Sequence, residues 1–165
     1  LRLVPNAVSM RTHGLLQSTP ILELVLDRTR IRHDASLFLP RMPGIQPVAY
    51  WWRGHLLHRF PFFWEDDFEM EQPLPSWDPA AVVFGIGLKI FNFHPIHVYL
   101  NSADPGSYRI VKGLNTHLSE LTDRDLQSHV RSGVGTGTMF QELIRTFGHR
   151  SRRIDELATS IATIS

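Results

Sequence analysis

The pattern of apolar and polar positions predicts short strands that alternate with helices. Residues 7–11 and 31–33 are two β-capable runs, and the apolar positions between them recur at helical spacing through Asp27. Ser18 or Thr19 can cap that helix, because the proline that follows fits the first helical turn. The order strand, helix, strand is typical of a parallel sheet and predicts the α/β class.

One apolar run ends abruptly in polar residues. Residues 88–93, LKIFNF, are rich in β-formers and predict a strand that is buried on both faces. Pro95 lacks the backbone N–H that a central strand needs, so the chain must turn there and leave His94 at the carboxyl end of the strand. In parallel α/β folds that end carries the functional residues. We therefore expect His94 to belong to the site.

A second predicted strand is followed by three carboxylates. Residues 56–64, LLHRFPFFW, predict a strand that Pro61 interrupts, and Glu65, Asp66 and Asp67 come directly after it. A solvated acidic turn is one explanation. The other is a site in which one carboxylate orients a histidine or binds a cation.

The two polar strand ends predict a pairing in space. Neighbouring parallel strands end on the same rim of a sheet, so sequence separation becomes proximity there. We expect Asp66 or Asp67 to lie within about 4–6 Å of His94 and to raise the pKa of its imidazole. The sequence does not say which of the two aspartates does this.

Aromatic residues are dense at 50–52, YWW, directly after a loop at 40–47 that contains prolines and a glycine. A loop anchored by aromatic side chains is the simpler interpretation. A sugar-stacking surface is the alternative, because aromatic faces offer apolar area next to polar edges. Position alone does not separate the two.

Helices are also predicted in the second half of the chain. The capping pair of Thr122 with Asp125 favours a helix to Arg131, and the pair of Thr138 with Gln141 favours another to Phe147. The remaining predictions are a short helix at 80–84 and a final amphipathic helix at 154–164. The glycines at 133, 135 and 137 lack the lysine and hydroxyl residue of a phosphate-binding loop, so they predict a flexible hinge.

Composition excludes several kinds of partner and chemistry. The chain has 17 Lys and Arg against 16 Asp and Glu, and a net charge of +1 predicts no general binding of nucleic acid or membrane surfaces. The absence of cysteine removes disulfides, thiolate metal sites and cysteine nucleophiles. No apolar run approaches the roughly 20 residues of a spanning helix, and no charged, hydrophobic leader opens the chain, which favours a cytoplasmic location over secretion. A length of 165 residues predicts a single domain over 1–165.

Three motifs carry a resemblance to a known family. RTHG at 11–14, FWEDD at 63–67 and FNFHPIHVYLN at 91–101 occur in the order found in NodB-like polysaccharide deacetylases, carbohydrate esterase family 4. The similarity extends over most of residues 5–148 and is greatest to a bacterial branch linked to surface-polysaccharide loci. The resemblance implies the C-terminal part of a distorted (β/α) barrel, followed by C-terminal helices. It also implies hydrolysis of sugar N-acetyl groups with a divalent metal, usually zinc.

The resemblance implies roles for individual residues. His94 matches the histidine that protonates the leaving amine, and Arg11 matches the arginine that orients the catalytic aspartate. Asp66 or Asp67 matches the acidic motif that tunes the histidine. Trp64 would form a wall of the substrate groove.

Four further residues are candidates for substrate contacts or a secondary site. Asn92 replaces the leucine usually found two residues before the catalytic histidine, and we expect it and Asn101 to contact substrate. His13 and His97 are candidates for a secondary site. The sugar, the acyl linkage and the oligomeric state are left open.

The departures from the family concern its metal. The motif with the base aspartate and one metal aspartate is not visible, nor is the histidine pair that completes the metal site. The chain is a C-terminal part of a longer enzyme, a non-catalytic relative, or a protein with a different metal site built from its own histidines; we favour the first. We therefore expect the metal ligands upstream, and weak zinc binding with no deacetylase activity by this chain alone.

The main rival function is binding without hydrolysis. A carbohydrate-binding module or pseudoenzyme would use Tyr50, Trp51, Trp52 and Trp64 to stack on sugars. Such a module needs no zinc, so the metal content of the whole protein distinguishes it from a deacetylase.

Overall fold

The structure combines short strands with helices, and a helix separates the first two strands, as the apolar pattern predicts. The computed structural model describes residues 3–114 and 117–162. Its strands are β1 Ser9–Met10, β2 His33–Asp34, β3 Val48–Trp52, β4 His55–Arg59, β5 Trp64–Glu65 and β6 Phe91–Asn92. Its helices are α1 Thr19–Arg28, α2 Asp66–Met70, α3 Pro79–Val83, α4 Pro95–Leu100, α5 Gly106–Leu114, α6 Asp123–Gln127, α7 Thr136–Phe147 and α8 Ile154–Ala162, with 3-10 turns at His13–Leu15, Leu118–Glu120 and Gly148–Arg150.

The first of two compact units contains a four-stranded sheet. This unit comprises Leu1–Phe63, Gly85–Ile90 and Ser151–Ser165. Its sheet has the order β1-β2-β4-β3, in which β1, β2 and β4 are parallel and β3 pairs antiparallel with β4. The predicted order of strand, helix and parallel strand is therefore confirmed for β1, α1 and β2.

The core of this unit forms where α1 packs on the sheet. Leu22 and Leu26 lie four residues apart on one helical face and are buried with Ile31 and Leu57. Ser18 begins the helix, since its hydroxyl accepts a hydrogen bond from the Ile21 amide at 3.4 Å. The predicted cap is thus confirmed.

The aromatic run at 50–52 is part of a strand, which corrects the predicted loop. Tyr50 and Trp52 pack against the buried core cluster, whereas the intervening Trp51 is 66% exposed. This alternation is what a strand with one covered face requires. The loop prediction was wrong because pairing with β4, which no local pattern shows, organises these residues.

A buried carboxylate lies at the carboxyl end of the parallel strands in this unit. Asp34 is fully buried and accepts hydrogen bonds from the Ser36 amide and hydroxyl, at 3.0 and 2.5 Å, and from Nε of Arg59 at 3.0 Å. The Arg59 guanidinium also donates to Gln17. Because a buried charge is tolerated only when it is paired, this network ties the ends of β2 and β4 together.

The second unit comprises Trp64–Phe84 and Phe91–Arg150 and contains the two-stranded parallel sheet of β5 and β6. Trp64 is 1% exposed and has ring contacts with Trp77, Phe91 and Phe93. Its indole N–H donates to Glu69 at 3.0 Å, which satisfies its one donor. An aromatic cluster therefore covers the strands that carry the polar ends.

The strand predicted at 88–93 is shorter than expected. Only Phe91–Asn92 is a strand, and Leu88, Lys89 and Ile90 are half-buried instead of fully buried. Gly87 precedes them with φ 100°, and a Cβ on it would lie 2.6 Å from the Ile45 amide nitrogen. Only glycine permits so close an approach of two backbone segments. Because the chain packs against Ile45 at this point, it does not form the longer β-strand that was predicted.

Two of the three glycines at 133–137, Gly135 and Gly137, are closely packed in the structure, which corrects the predicted hinge. Asn101 Nδ2 donates to the carbonyls of Arg131 and Gly133, at 3.1 and 2.9 Å, and Oδ1 accepts from the Thr138 amide at 3.0 Å. A Cβ on Gly137 would lie 2.5 Å from the Val98 carbonyl oxygen. Gly135, not Thr138, is the cap residue of α7, and the Thr138 hydroxyl donates back to its carbonyl.

We expect Gly137→Ala to lower the free energy of unfolding by about 1–3 kcal/mol, because its methyl group has no space beside Val98. Urea denaturation followed by tryptophan fluorescence measures this. The matched control is Gly113→Ala, since a Cβ at Gly113 meets nothing within 4 Å. That variant should be neutral or stabilising by at most about 1 kcal/mol. Equal midpoints for the two variants would show that residues 133–137 are not tightly packed.

The remaining predictions have mixed outcomes. The capping box of Thr122 and Asp125 is confirmed, but α6 ends at Gln127, because the amide of Arg131 donates instead to the Leu100 carbonyl. The last helix begins at Ile154 as predicted, and the end predicted for it lies outside the described residues. The α/β class is confirmed, whereas the assignment to part of a distorted (β/α) barrel stays a prediction. In the described part of the chain, no helix has both the length and the apolar character needed to cross a membrane.

Candidate active site

The polar residues that follow β5 and β6 lie side by side. The parallel register pairs Trp64 with Phe91 and Glu65 with Asn92. Asp66 begins α2 directly after β5, while two residues after β6 His94 becomes the N-cap of α4, where Pro95 occupies the first helical position. The predicted turn at Pro95 and the predicted adjacency of the two strand ends are both confirmed.

Asp66 holds His94 through two hydrogen bonds. Its Oδ1 lies 2.6 Å from Nδ1 of His94, and its Oδ2 accepts the backbone amide of His94 at 2.7 Å. Asp66 is fully buried, and its Oδ1 also accepts the Asp67 amide at 2.9 Å. The carboxylate is therefore fixed on three sides, while the His94 side chain stays 34% exposed and accessible to solvent.

This arrangement raises the pKa of His94 above its ordinary value. The hydrogen bond to Asp66 contributes most, and the charges of Asp66, Asp67 and Glu65 add to it. Partial burial acts in the opposite direction but is outweighed. The imidazolium form is thus favoured, as a carboxylate within hydrogen-bond distance should favour it.

Asp67 instead forms a second pair with His97. Its Oδ1 lies 2.8 Å from Nε2 of the buried His97, and its Oδ2 lies 3.6 Å from Nδ1 of His94. The hydrogen bond from His97 lowers the pKa of the Asp67 carboxyl group. The two aspartates that sequence could not distinguish have different partners: Asp66 contacts His94, and Asp67 bridges both histidines.

Asp67, His94 and His97 form a group of possible metal ligands, since one donor atom from each lies within 4.8 Å of the others. It is the one group of three such donors found among the described residues. Two imidazole nitrogens and a carboxylate oxygen are ligands that zinc and iron accept in proteins. His94, a member of this group, is also the hydrogen-bond partner of Asp66.

Sequence reasoning missed the contribution of Ser102. Its hydroxyl is fully buried and lies 3.3 Å from Nδ1 of His97, so it fixes the ring whose other nitrogen faces Asp67. The ring of Tyr108 packs on His97 from the edge at 5.0 Å. For the two histidines the sequence did contain a signal. His94 and His97 are three residues apart after a strand, and this spacing places both on one helical turn.

The predicted substrate contacts are engaged inside the protein. Nδ2 of Asn92 donates to Glu65 Oε1 at 2.6 Å, and the polar atoms of Asn101 bind the segment at 131–138. Asn101 also has φ 48° and ends α4, a conformation that asparagine tolerates better than most residues. Trp64 is 1% exposed within the aromatic cluster. Their roles toward substrate stay predictions without support from these contacts.

Arg11 and His13 belong to the first unit. Both side chains are exposed; Arg11 follows β1, and His13 begins a 3-10 turn. His13 is not a member of the donor group. The catalytic role of Arg11 and the secondary role of His13 stay predictions.

The stacking platform of the rival function is incomplete. Of its four aromatic residues, Trp64 is buried, Tyr50 and Trp52 cover the core of the first unit, and Trp51 is the exposed one. A sugar-stacking surface needs exposed aromatic faces, and among these four residues Trp51 is the one that offers such a face. These residues therefore give little support to a carbohydrate-binding module.

The class and the family follow from this site and from two comparisons. A pair of parallel strands that present a carboxylate–histidine pair at their carboxyl ends defines an α/β protein with an enzyme-like site. The family described as WbmS-like polysaccharide deacetylase matches residues 1–112. The chain belongs to this family.

A solved structure supports the same assignment. The crystal structure of WbmS from Bordetella bronchiseptica, proposed to be a polysaccharide deacetylase involved in O-antigen biosynthesis, is similar with a TM-score of 0.70 and 27% sequence identity. The similarity covers 87% of this chain and 57% of that protein, so the chain spans a little over half of its relative. No curated protein matches the chain.

Proposed function

We propose that this protein is a deacetylase that hydrolyses N-acetyl groups on the sugars of a surface polysaccharide or its precursor. The single observation that carries the proposal is the pairing of His94 with buried Asp66 at the end of a parallel strand. The family assignment and the neighbour proposed to act in O-antigen biosynthesis support the substrate class. We also propose that the chain is the C-terminal part of a distorted (β/α) barrel.

The chemistry needs a proton donor at the leaving group. Water adds to the amide carbonyl, and the carbon–nitrogen bond then breaks to give acetate and a sugar amine. An amine leaves only when its nitrogen takes up a proton, because the free amide anion is far too basic. His94 in its imidazolium form gives that proton, and Asp66 keeps the ring charged and oriented until it does.

Metal dependence is part of the proposal, but the donor group described above does not fit that metal. A metal on Nδ1 of His94, the nitrogen that faces both Asp66 and Asp67, would replace the proton through which Asp66 keeps the imidazole charged, and a neutral metal-bound ring is a poor acid. Since His94 belongs to both arrangements, Asp67, His94 and His97 cannot hold a deacetylation metal while His94 acts as the acid. We propose that the catalytic metal has ligands outside this group.

The test measures both products of the reaction. Incubation of the whole protein with N-acetylated oligosaccharides should release acetate and an equal amount of free amine, whereas O-acetylated sugars should release acetate alone. Removal of metal with a chelator should abolish the release, and added zinc should restore it. Circular dichroism of the chelated protein serves as the control for folding.

Two results would contradict this function. Binding of the same oligosaccharides with no acetate release at any zinc concentration would favour the binding-module alternative. Acetate release only from O-acetylated sugars would indicate an esterase that acts on the same class of carbohydrate.

A further inference from the structure

We propose that Asp67, His94 and His97 form a divalent-cation site in this chain, with zinc as the best-fitting ion. The inference rests on the proposed function in one respect only, namely that His94 is the acid of the deacetylase. The site is additional to the metal that deacetylation is proposed to use. Its basis is the donor group itself, whose three ligand atoms lie within 4.8 Å of one another.

The distances are close to those of a zinc site. Ligands about 2.0–2.1 Å from a tetrahedral zinc ion lie about 3.4 Å from one another. Asp67 lies 2.8 Å from Nε2 of His97 and 3.6 Å from Nδ1 of His94, values on either side of that separation. The two distances involve different oxygens of Asp67, Oδ1 and Oδ2, and its 55% exposed side chain has room to turn one oxygen toward a shared ion.

The ring of the buried His97 is already held by another group. Histidines that bind metals usually use their second nitrogen for a hydrogen bond to a protein group, which fixes the ring. His97 has Ser102 at its Nδ1 and Asp67 at its Nε2. In His94 the nitrogen that faces Asp67 is Nδ1, which also lies 2.6 Å from Asp66, so a cation there replaces the proton that His94 shares with Asp66. The His97 side of the site is therefore preorganised.

Charge also favours a cation at this position. Asp66 and Asp67 are consecutive carboxylates, and Glu65 adds a third next to them. With both histidines neutral the cluster is negative, and a divalent ion would offset the repulsion among these groups. Because Asp67 and His94 are partly exposed, solvent can fill the remaining coordination positions.

The structure reveals a third metal ligand that the sequence did not identify. The expectation of weak zinc binding rested on a histidine pair without a third ligand, and Asp67 is that third ligand. Occupancy has a consequence for the proposed chemistry. A cation that takes a nitrogen of His94 removes the group that protonates the amine, so the loaded site should block turnover.

Calorimetric titration of the metal-free 165-residue chain with zinc tests the site without any activity assay. We expect about one zinc per chain, and at least about a tenfold loss of affinity in His97→Ala and in Asp67→Asn. Asp67→Asn keeps the shape of an exposed side chain, so it remains informative if His97→Ala fails to fold. The control is His149→Ala, an exposed histidine of the same unit that lies outside the donor group.

Cobalt substituted for zinc gives a second readout, since its visible absorption should indicate nitrogen and oxygen ligands and should change in both ligand variants but not in the control. Absence of zinc binding, or an affinity that neither variant changes, overturns the site and leaves the deacetylase proposal untouched. In the whole protein, turnover should rise while zinc fills the catalytic metal site and should fall when excess zinc fills this second site. A rise in turnover with occupancy would instead make it the catalytic metal site and overturn its separate role.

Discussion

Replacing His94 with alanine is expected to lower the turnover of the proposed deacetylase about a hundredfold or more, because the proposed mechanism then has no proton donor for the leaving amine. His94 is partly exposed, and Asp66 holds it from the buried side, so the ring is both accessible and charged. The measurement is the rate of amine release from an N-acetylated oligosaccharide at saturating substrate. Loss of turnover without a comparable rise in KM is the expected result for an acid that acts on the departing group.

Two further variants control this experiment. His97→Ala should lower turnover less, since His97 contacts Asp67 and Ser102 but has no hydrogen bond to Asp66 in the structure. His149→Ala should retain full turnover, as an exposed histidine outside the site. Unchanged turnover in both His94→Ala and His97→Ala would exclude His94 as the general acid and would remove the main support for the proposed function.

Asp66→Asn is expected to move the basic limb of the pH–rate profile to lower pH. The hydrogen bond and charge of Asp66 are the main reasons why the pKa of His94 is raised, and asparagine keeps the shape but removes the charge. An acid works only while it is protonated, so activity is lost as pH rises through its pKa. A lower pKa therefore places that loss at lower pH.

Asp67→Asn should shift the basic limb of the pH–rate profile less, because Asp67 lies 3.6 Å from Nδ1 of His94 and contributes through charge alone.

The pH dependence of stability provides an independent measurement. A histidine with a raised pKa stabilises the fold fully below its unfolded value of about 6.5, and that stabilisation is lost as pH rises through the folded value. Urea midpoints of the natural protein should fall over that range, and those of Asp66→Asn should fall less. pH–rate profiles that neither substitution moves would show that Asp66 and Asp67 do not set the pKa of the acid that acts in turnover.

Local rules were sufficient to predict where the residues of the candidate site lie relative to the strands. Pro95 cannot continue a strand, and this property alone placed His94 at a strand end and at the start of a turn. The apolar spacing of α1 and its serine cap were likewise visible, because a helix is set by contacts within four residues. The acidic turn after β5 follows from the same local reasoning.

Local rules failed where distant residues decide the conformation. The aromatic run at 50–52 became β3 because β4 pairs with it, and the glycines at 135 and 137 became packing positions because Asn101 and Val98 lie against them. Trp64, expected beside substrate, is buried by the aromatic rings of its own unit. Each outcome depends on a partner far away in sequence, which periodicity does not reveal.

The sequence by itself determined the class of the fold, the residues of the acidic turn and the position of His94, since strand ends, caps and prolines act through neighbouring residues. Only the tertiary structure decided that Asp66 forms the hydrogen bond with His94 and that Asp67 pairs with His97. The same is true of the contact by which Ser102 fixes the ring of His97. The physical reason is the length scale of the interactions. Hydrogen bonds and charge pairs that set a pKa or bind a cation depend on ångström-scale distances, and those distances follow from the parallel register of β5 and β6.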